Sequence, residues 1–202
     1  MKKLIALLAL CLFAVQLQAQ DVNLLNSIRA ANGKIKTFEA DLSNKLVKPK
    51  KTTSQDGKLY FVAPYEFAAM FNTGKYMIVN EKKINMEIGL FSGTYKLRDG
   101  GMMKSLSNIF LYGFQGKTQE LADENGFSLT TKTEGGFHIV TGTIKKKKLI
   151  GIGYKQVVFK YHTDSLLLKE IVLFDYSGNM DIYTISNVKY DVAVDQSLFE
   201  VK

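Results

Sequence analysis

The chain has 202 residues, a hydrophobic fraction of 46%, a charged fraction of 23% and a formal net charge of +8. This composition is typical of a globular protein and excludes an intrinsically disordered or low-complexity chain. Basic charge alone would allow a nucleic-acid partner, but the chain has no tryptophan, no RNP-like motif and no helix-turn-helix pattern. We therefore expect the basic surface to face anionic lipid head groups or an acidic protein.

The N-terminus has the three parts of a secretion signal. Residues 1–3 carry the positive charge, residues 4–15 form an apolar segment too short to span a bilayer, and Leu17-Gln18-Ala19 provides a small-residue cleavage site. We expect a signal peptide over residues 1–19, a mature chain that begins at Gln20, and a periplasmic location.

The single cysteine of the chain lies inside this signal. Cys11 follows Leu10, whereas the residue before a lipidated cysteine is normally small, so we expect no lipid modification. Removal of the signal leaves no cysteine and lowers the formal net charge to about +6, because Lys2 and Lys3 are lost. A single domain over residues 20–202 must then be stabilised by its core rather than by disulfides.

The first predicted elements of the mature chain are a helix and a long strand. Asp21 is a good N-cap, and the spacing of the apolar residues predicts an amphipathic helix from there to Gly33. From Thr37 apolar and polar residues alternate, which predicts a strand that ends at Pro49. A polar loop is expected over residues 49–57.

A series of short strands with turn sequences between them follows, and one helical segment interrupts it. Residues 102–112 have apolar side chains at helical spacing, and Gly113 and Gly116 are expected to end that helix. The predicted strands are 58–63, 65–71, 75–80, 83–88, 126–132, 136–145, 154–162, 165–175, 179–191 and 198–201. An antiparallel sheet of about ten or eleven strands must curl. The predicted fold class is therefore mainly β with helices (α+β), an incomplete antiparallel β-barrel whose concave apolar face is covered by helices.

A motif and the order of the elements resemble a known family. The pattern G-x-L-x-x-x-x-P-x-x-F is formed by Gly57, Leu59, Pro64 and Phe67. A hairpin sequence over residues 78–84 and a closing segment over residues 194–199 complete the likeness. Over nearly the whole mature chain, these features are similar to those of the outer-membrane lipoprotein carrier family of the LolA type.

The resemblance implies a function and a set of partners. In this family a half-open barrel covered by helices forms an apolar cavity, which holds the acyl chains of a lipoprotein as it crosses the periplasm. The implied partners are lipoprotein acyl chains or another lipid, an inner-membrane lipoprotein-releasing transporter, an outer-membrane acceptor and, transiently, a membrane surface. The resemblance implies a monomer without cofactor or nucleic acid. An envelope lipid sensor or interaction protein of the same fold is the alternative.

One position departs from the family pattern. Carriers of this family usually have an arginine just before the motif proline, where it holds the lid closed, and this chain has Ala63 at that latch position. The departure implies a lid that opens more readily, unless Lys58 or Arg98 takes over the role. It also gives a binder of another lipid as an alternative.

An acyl cavity needs apolar side chains on a concave face rather than a catalytic set. The cavity candidates are Phe61, Tyr65, Phe67, Met70, Phe71, Met77, Met86, Ile88 and Phe91. The lid candidates are Met102, Met103, Leu106, Ile109 and Phe110. Methionines suit a pocket that accepts variable lipids, because their thioether chains are flexible. The alternative for each residue is that it fills an ordinary core.

Signals of an enzyme or a metal site are nearly absent from the sequence. His138 and His162 lie on separate predicted strands or turns, and no G-x-S-x-G or H-E-x-x-H pattern occurs. We therefore expect no catalytic residue, no metal and no cofactor. Asp175 and Asp181 flank a predicted turn, where solvated surface charge is the ordinary interpretation. The lysine run over residues 145–148 is either a solvated hairpin tip or a docking site for anionic head groups or for the acidic surface of a partner.

Overall fold

The computed structural model describes residues 21–88, 91–98, 101–144 and 153–201. The predicted signal peptide over residues 1–19 and the lysine run over residues 145–148 lie outside the described residues. The strands, in chain order, are β1 (Thr37–Lys48), β2 (Lys51–Val62), β3 (Glu66–Phe71), β4 (Tyr76–Val79), β5 (Lys83–Ile88), β6 (Phe91–Lys96), β7 (Phe127–Glu134), β8 (Phe137–Ile144), β9 (Tyr154–His162), β10 (Leu168–Asp175) and β11 (Met180–Tyr190).

Three α-helices and a short 3-10 helix accompany the strands in the described part of the chain. They are α1 (residues 21–32), α2 (Met102–Gln115), α3 (Thr118–Asn125) and the 3-10 helix Gln196–Phe199. None of the helices among the described residues is long and apolar enough to cross a membrane.

The strands form one antiparallel sheet in the order β6-β5-β4-β3-β2-β1-β11-β10-β9-β8-β7. Strands that are consecutive in the chain pair with each other, except β6 and β7. The pairing of β1 with β11 joins the two halves of the sheet. The sheet does not close, because β6 and β7 form its two edges in the described part of the chain. The predicted fold class, an incomplete antiparallel barrel of about ten or eleven strands with helices, is confirmed by these eleven strands.

The core lies between the inner face of this sheet and α2. Along β1 the buried residues Phe38, Ala40 and Leu42 alternate with more exposed ones, as one face of a half-buried strand requires. Phe110 and Phe114 of α2 pack against them and against the inner residues of the neighbouring strands. The helix therefore fills the concave side of the curved sheet.

The predicted polar loop over residues 49–57 is wrong. Strand β2 begins at Lys51 and pairs with β1 along its whole length, from Lys48 opposite Lys51 to Thr37 opposite Val62. The first half of β2 is exposed and polar, so it lacks the apolar alternation by which a strand is found in a sequence. Pairing with β1 supplies the hydrogen bonds that make it a strand.

The structure also differs from the predicted elements elsewhere. Helix α2 continues through Gly113 to Gln115, and neither α3 nor the edge strand β6 was among the predicted elements. The predicted closing strand over residues 198–201 is wrong, since Gln196–Phe199 forms a 3-10 helix. The carboxylate of Asp195 accepts a hydrogen bond from the backbone of Ser197 and so caps that helix.

Candidate functional site

A cavity of about 300 Å³ lies at one end of the concave face, between the sheet and the N-terminal half of α2. Both halves of the sheet contribute to its wall, because β1 and β11 join the halves at that point. Its apolar lining consists of Leu46, Met77, Met86, Ile88, Phe91, Leu106 and Leu173. Two of these are methionines, and a lining of flexible apolar side chains can adapt to an aliphatic ligand.

One side of the same cavity is polar. It is lined by Lys48, Tyr154, Asp175, Asn179, Asp181 and Tyr183. Burial raises the pKa of Tyr154 and of Tyr183 above the ordinary tyrosine value, so both side chains are neutral hydroxyls at physiological pH. The cavity is therefore amphipathic, with a larger apolar part and a smaller polar part.

Asp181 provides the carboxylate of this polar side. Its Oδ1 accepts a hydrogen bond of 2.5 Å from Asn44 Nδ2, and its Oδ2 accepts one of 2.9 Å from the Tyr183 hydroxyl. Burial raises the pKa of the carboxyl, and these two hydrogen bonds act in the opposite direction. The interpretation of Asp181 as solvated surface charge is therefore wrong, because the residue is half-buried and lines the cavity.

The carboxylate of Asp175 forms its hydrogen bonds within a turn. Its Oδ1 accepts hydrogen bonds of 2.8 Å from the backbone amides of Ser177 and Asn179, and its Oδ2 accepts one of 2.6 Å from the Asn179 side chain. These bonds close the turn between β10 and β11. Three of the roughly four acceptor positions of the Asp175 carboxylate are used in the turn, whereas only two are used at Asp181, so Asp181 keeps the greater acceptor capacity towards the cavity.

The structure divides the predicted cavity and lid residues into three groups. Those that line the cavity are Met77, Met86, Ile88, Phe91 and Leu106. Those buried in the adjoining core are Phe61, Phe67, Phe71, Met103, Ile109 and Phe110. Those with exposed side chains are Tyr65 at 50%, Met70 at 40% and Met102 at 38%. The structure does not bring the third group to the cavity. The role of all these residues in lipid binding stays a prediction.

Strand geometry explains why Met70 faces away from the cavity. Successive side chains of a strand point to opposite faces. In β3 the inward side chains are Phe67, Ala69 and Phe71, which are all buried, so Met70 between them points outward.

Sequence reasoning missed the contribution of the second half of the chain. Leu173, Tyr183 and Asp181 line the cavity from β10 and β11, opposite Leu46 of β1. The alternation of buried residues in β11 could have indicated the inward face of Tyr183. The same alternation places Asp181 on the face of Tyr183, but composition argues against an inward carboxylate, because strand carboxylates usually point to solvent.

The structure places a hydrogen bond beside the latch position. Gln115, buried in the last turn of α2, donates from Nε2 to the carbonyl oxygen of Pro64 at 2.9 Å. Lys117 Nζ in turn donates to Gln115 Oε1 at 2.7 Å. Ala63 has no side chain that could make such a bond. In this chain the bond between helix and turn thus runs from the helix side chain to the turn.

Of the two residues that could have replaced the missing arginine, one forms ion pairs with other residues and one is exposed. Lys58 forms an ion pair with Asp41 at 2.7 Å and lies 3.6 Å from Glu39. Arg98 is exposed. The described residues therefore provide Gln115, rather than Lys58 or Arg98, as the link between α2 and the turn before β3.

Gln115→Ala is expected to loosen the end of α2. The change removes a buried hydrogen bond and leaves the Pro64 carbonyl without its donor, which costs about 1–3 kcal/mol. Amide hydrogen exchange in the last turns of α2 should become at least about fivefold faster, and mass spectrometry of proteolytic fragments measures it.

Gln119→Ala is the matched control for this substitution. Gln119 also makes a helical side-chain hydrogen bond, to Asp123 at 2.9 Å, but it is exposed on α3. Exchange in α2 should not change in that variant. Equal exchange rates in wild type and Gln115→Ala would show that the Pro64 bond does not hold the helix.

Comparison with known proteins gives likenesses in structure only. A scan against family models and a search of curated proteins each find no match. An uncharacterised conserved protein from Thermus thermophilus is 9% identical, with a TM-score of 0.50 over 91% of this chain and 94% of that chain. A putative outer membrane lipoprotein-sorting protein domain from Vibrio parahaemolyticus is 8% identical, with a TM-score of 0.46 over 87% of this chain and 94% of that chain.

A LolA superfamily protein from Nitrosomonas europaea is also similar, with 9% identity and a TM-score of 0.43 over 87% of this chain and 96% of that chain. Proteins of the LolA superfamily and of the lipoprotein-sorting type, which the motif resembles, are thus among the structural neighbours. At identities of 8–9%, the likeness is one of fold.

Proposed function

We propose that this protein is a periplasmic carrier that binds acyl chains in its apolar cavity and moves lipoproteins from the inner to the outer membrane. The observation that carries the proposal is the cavity of about 300 Å³ between α2 and the concave face. This volume is at the lower end of the range of small-molecule sites, about 300–1,000 Å³. The sequence features of a secretion signal support the periplasmic location.

Binding by such a cavity needs no catalytic chemistry. Each acyl methylene that leaves water for an apolar wall contributes about 0.8 kcal/mol. Because this contribution has no directional requirement, one cavity can accept chains of different length. We therefore propose a binding protein rather than an enzyme, with no cofactor.

Transfer requires that the cavity open and close. Helix α2 covers the concave face, and Leu106 projects from it into the cavity. Movement of this helix away from the sheet would expose the bound chain and lower its affinity. The partners proposed for the two ends of the path are an inner-membrane lipoprotein-releasing transporter and an outer-membrane acceptor. Both would be met transiently at a membrane surface by a monomer.

Ile88→Asp is expected to weaken binding of a fluorescent acyl probe by about tenfold or more, because a carboxylate in the wall opposes burial of an aliphatic chain. Ile88 lies at the end of β5, is only partly buried and lines the cavity, so the substitution should leave the sheet intact. Fluorescence titration measures the affinity, and circular dichroism checks the fold.

Met70→Asp is the matched control. This variant introduces the same charge on the outer face of strand β3, where the Met70 side chain is 40% exposed. Its affinity should equal that of wild type. Equal weakening in both variants, or in neither, would mean that the probe does not occupy this cavity, and the carrier proposal would lose its main support.

A binder or sensor of another lipid is the second candidate function. The polar side of the cavity, with Asp181 and Tyr183, favours it, because the acyl chains of a lipoprotein would not need a carboxylate in the wall. Mass spectrometry of lipids extracted from the purified protein distinguishes the two. Triacyl or diacyl lipopeptides would support the carrier, and free lipids alone would support the second candidate.

A further inference from the structure

We propose that Asp181 makes the cavity selective for amphiphiles whose polar end is an ammonium or amide N–H donor, and that the cavity disfavours anionic head groups. This inference rests on the proposed lipid-binding function and specifies the ligand class of the same cavity. The tail would occupy the apolar part near Met86 and Leu106, and the head would face Asp181.

The hydrogen bonds of Asp181 leave it able to accept more. A carboxylate offers about four lone-pair positions, and two are used by the neutral donors of Asn44 and Tyr183. Among the described residues, no lysine or arginine forms an ion pair with it. A half-buried carboxylate without a cation costs free energy of folding. A donor on a bound ligand would satisfy it.

Hydrogen bonds that run from Thr73 through Gln55 fix the orientation of the Asn44 side chain. Its Oδ1 accepts a hydrogen bond of 3.1 Å from Gln55 Nε2, and Gln55 Oε1 accepts one of 2.8 Å from the hydroxyl of Thr73. These contacts orient the Asn44 amide so that its N–H group points to Asp181. The carboxylate is thus held in place from β1 and β2 as well as from its own strand.

Among the described residues, the other charges at the cavity do not reverse this preference. Asp175 has the same negative charge as Asp181, and three of its acceptor positions are used in its turn. Lys48 lines the cavity but its side chain is exposed, so water and salt screen its attraction for anions. Tyr154 is a neutral hydroxyl and favours neither sign of head group.

Three probes with the same alkyl chain and different head groups test the proposal on the wild-type protein. Dodecylammonium, dodecanamide and dodecanoate are titrated at neutral pH below their aggregation concentrations. We expect dodecylammonium to bind at least about tenfold more tightly than dodecanoate, with dodecanamide between them, since a charge-assisted hydrogen bond contributes that much. Dodecanoate that binds as tightly as dodecylammonium, or more tightly, would overturn the proposal.

Asp181→Asn removes the charge and keeps the contacts. The amide oxygen can still accept from Asn44, and the amide N–H can donate to the Tyr183 hydroxyl, which is also an acceptor. The ratio of the dodecylammonium affinity to the dodecanoate affinity should fall by roughly tenfold. Asp123→Asn removes the same charge from an exposed position on α3 and should leave the ratio unchanged.

The outcomes separate this inference from the function on which it rests. If all three probes bind equally, the cavity binds lipids and the selectivity assigned to Asp181 is wrong. If the ratio is the same in wild type and Asp181→Asn, another group selects the head. If none of the probes binds, the lipid-binding proposal itself fails. If Asp181→Asn does not fold, the order of the three affinities for the wild-type protein still shows whether the cavity prefers an ammonium head group to a carboxylate.

Discussion

Phe114→Ala is expected to lower the free energy of unfolding by about 3–5 kcal/mol, the usual cost of truncating a buried phenylalanine. Phe114 has its ring centroid 5.5 Å from that of Phe38, 5.4 Å from that of Phe61 and 5.7 Å from that of Phe67. It thereby joins α2 to β1, β2 and β3. Since natural domains have a total stability of about 5–15 kcal/mol, this loss should be visible in urea denaturation followed by circular dichroism.

Tyr176→Ala is the control for loss of an aromatic ring. The Tyr176 side chain is 47% exposed, so its removal should change the free energy of unfolding by less than about 0.5 kcal/mol. A loss below about 1 kcal/mol in Phe114→Ala would contradict the central packing role. The helix would then be held to the sheet mainly by other contacts.

Phe114 also shows where prediction from the sequence stops. The sequence predicts the helix as far as residue 112, because Gly113 is a poor helix former. In the structure a side chain at Gly113 would clash with the sheet: an added Cβ would lie 2.8 Å from Phe159 Cε1. The glycine is there for close packing, and the helix continues through it. Phe114 and Gln115, which anchor α2, were therefore missed.

The larger architecture could be predicted because it depends on repeated local signals. Alternating apolar residues and glycine-containing turns indicate strands such as β4 and β11 whatever their partners are. Strand β2 could be predicted only in its second half, because its first half is a strand by virtue of pairing with β1. Pairing between distant segments also brings Asp181 opposite Leu46. The polar side of the cavity is a product of that register, which the sequence does not reveal.

Gly57→Ala is expected to destabilise the protein by about 3 kcal/mol or more, at the upper end of the cost of overpacking. Gly57 belongs to the motif on which the family resemblance rests, and the structure gives a steric reason for a glycine there. An added Cβ would lie 2.1 Å from the carbonyl oxygen of Met70 and 2.7 Å from Cα of Phe71. Both are backbone atoms of β3, so no side-chain rotation relieves the clash and the two strands must separate.

The matched control for this change is Gly142→Ala, in β8. There an added Cβ would be 3.4 Å from Phe127 Cγ and 3.5 Å from Leu129 Cδ2, which is ordinary contact with side chains. Its thermal unfolding temperature should stay close to that of wild type, whereas that of Gly57→Ala should fall by several degrees, since about 1 kcal/mol corresponds to about 2–4 °C for a domain of this size. Equal melting temperatures for Gly57→Ala and wild type would mean that β2 and β3 can separate there at little cost. The glycine would then need an explanation other than close approach of the strands.

Because β3 carries Phe67 and Ala69 inward against α2, a fall in the stability of Gly57→Ala should be accompanied by faster exchange of α2 amides. Such a result would link this glycine to the closure of the cavity.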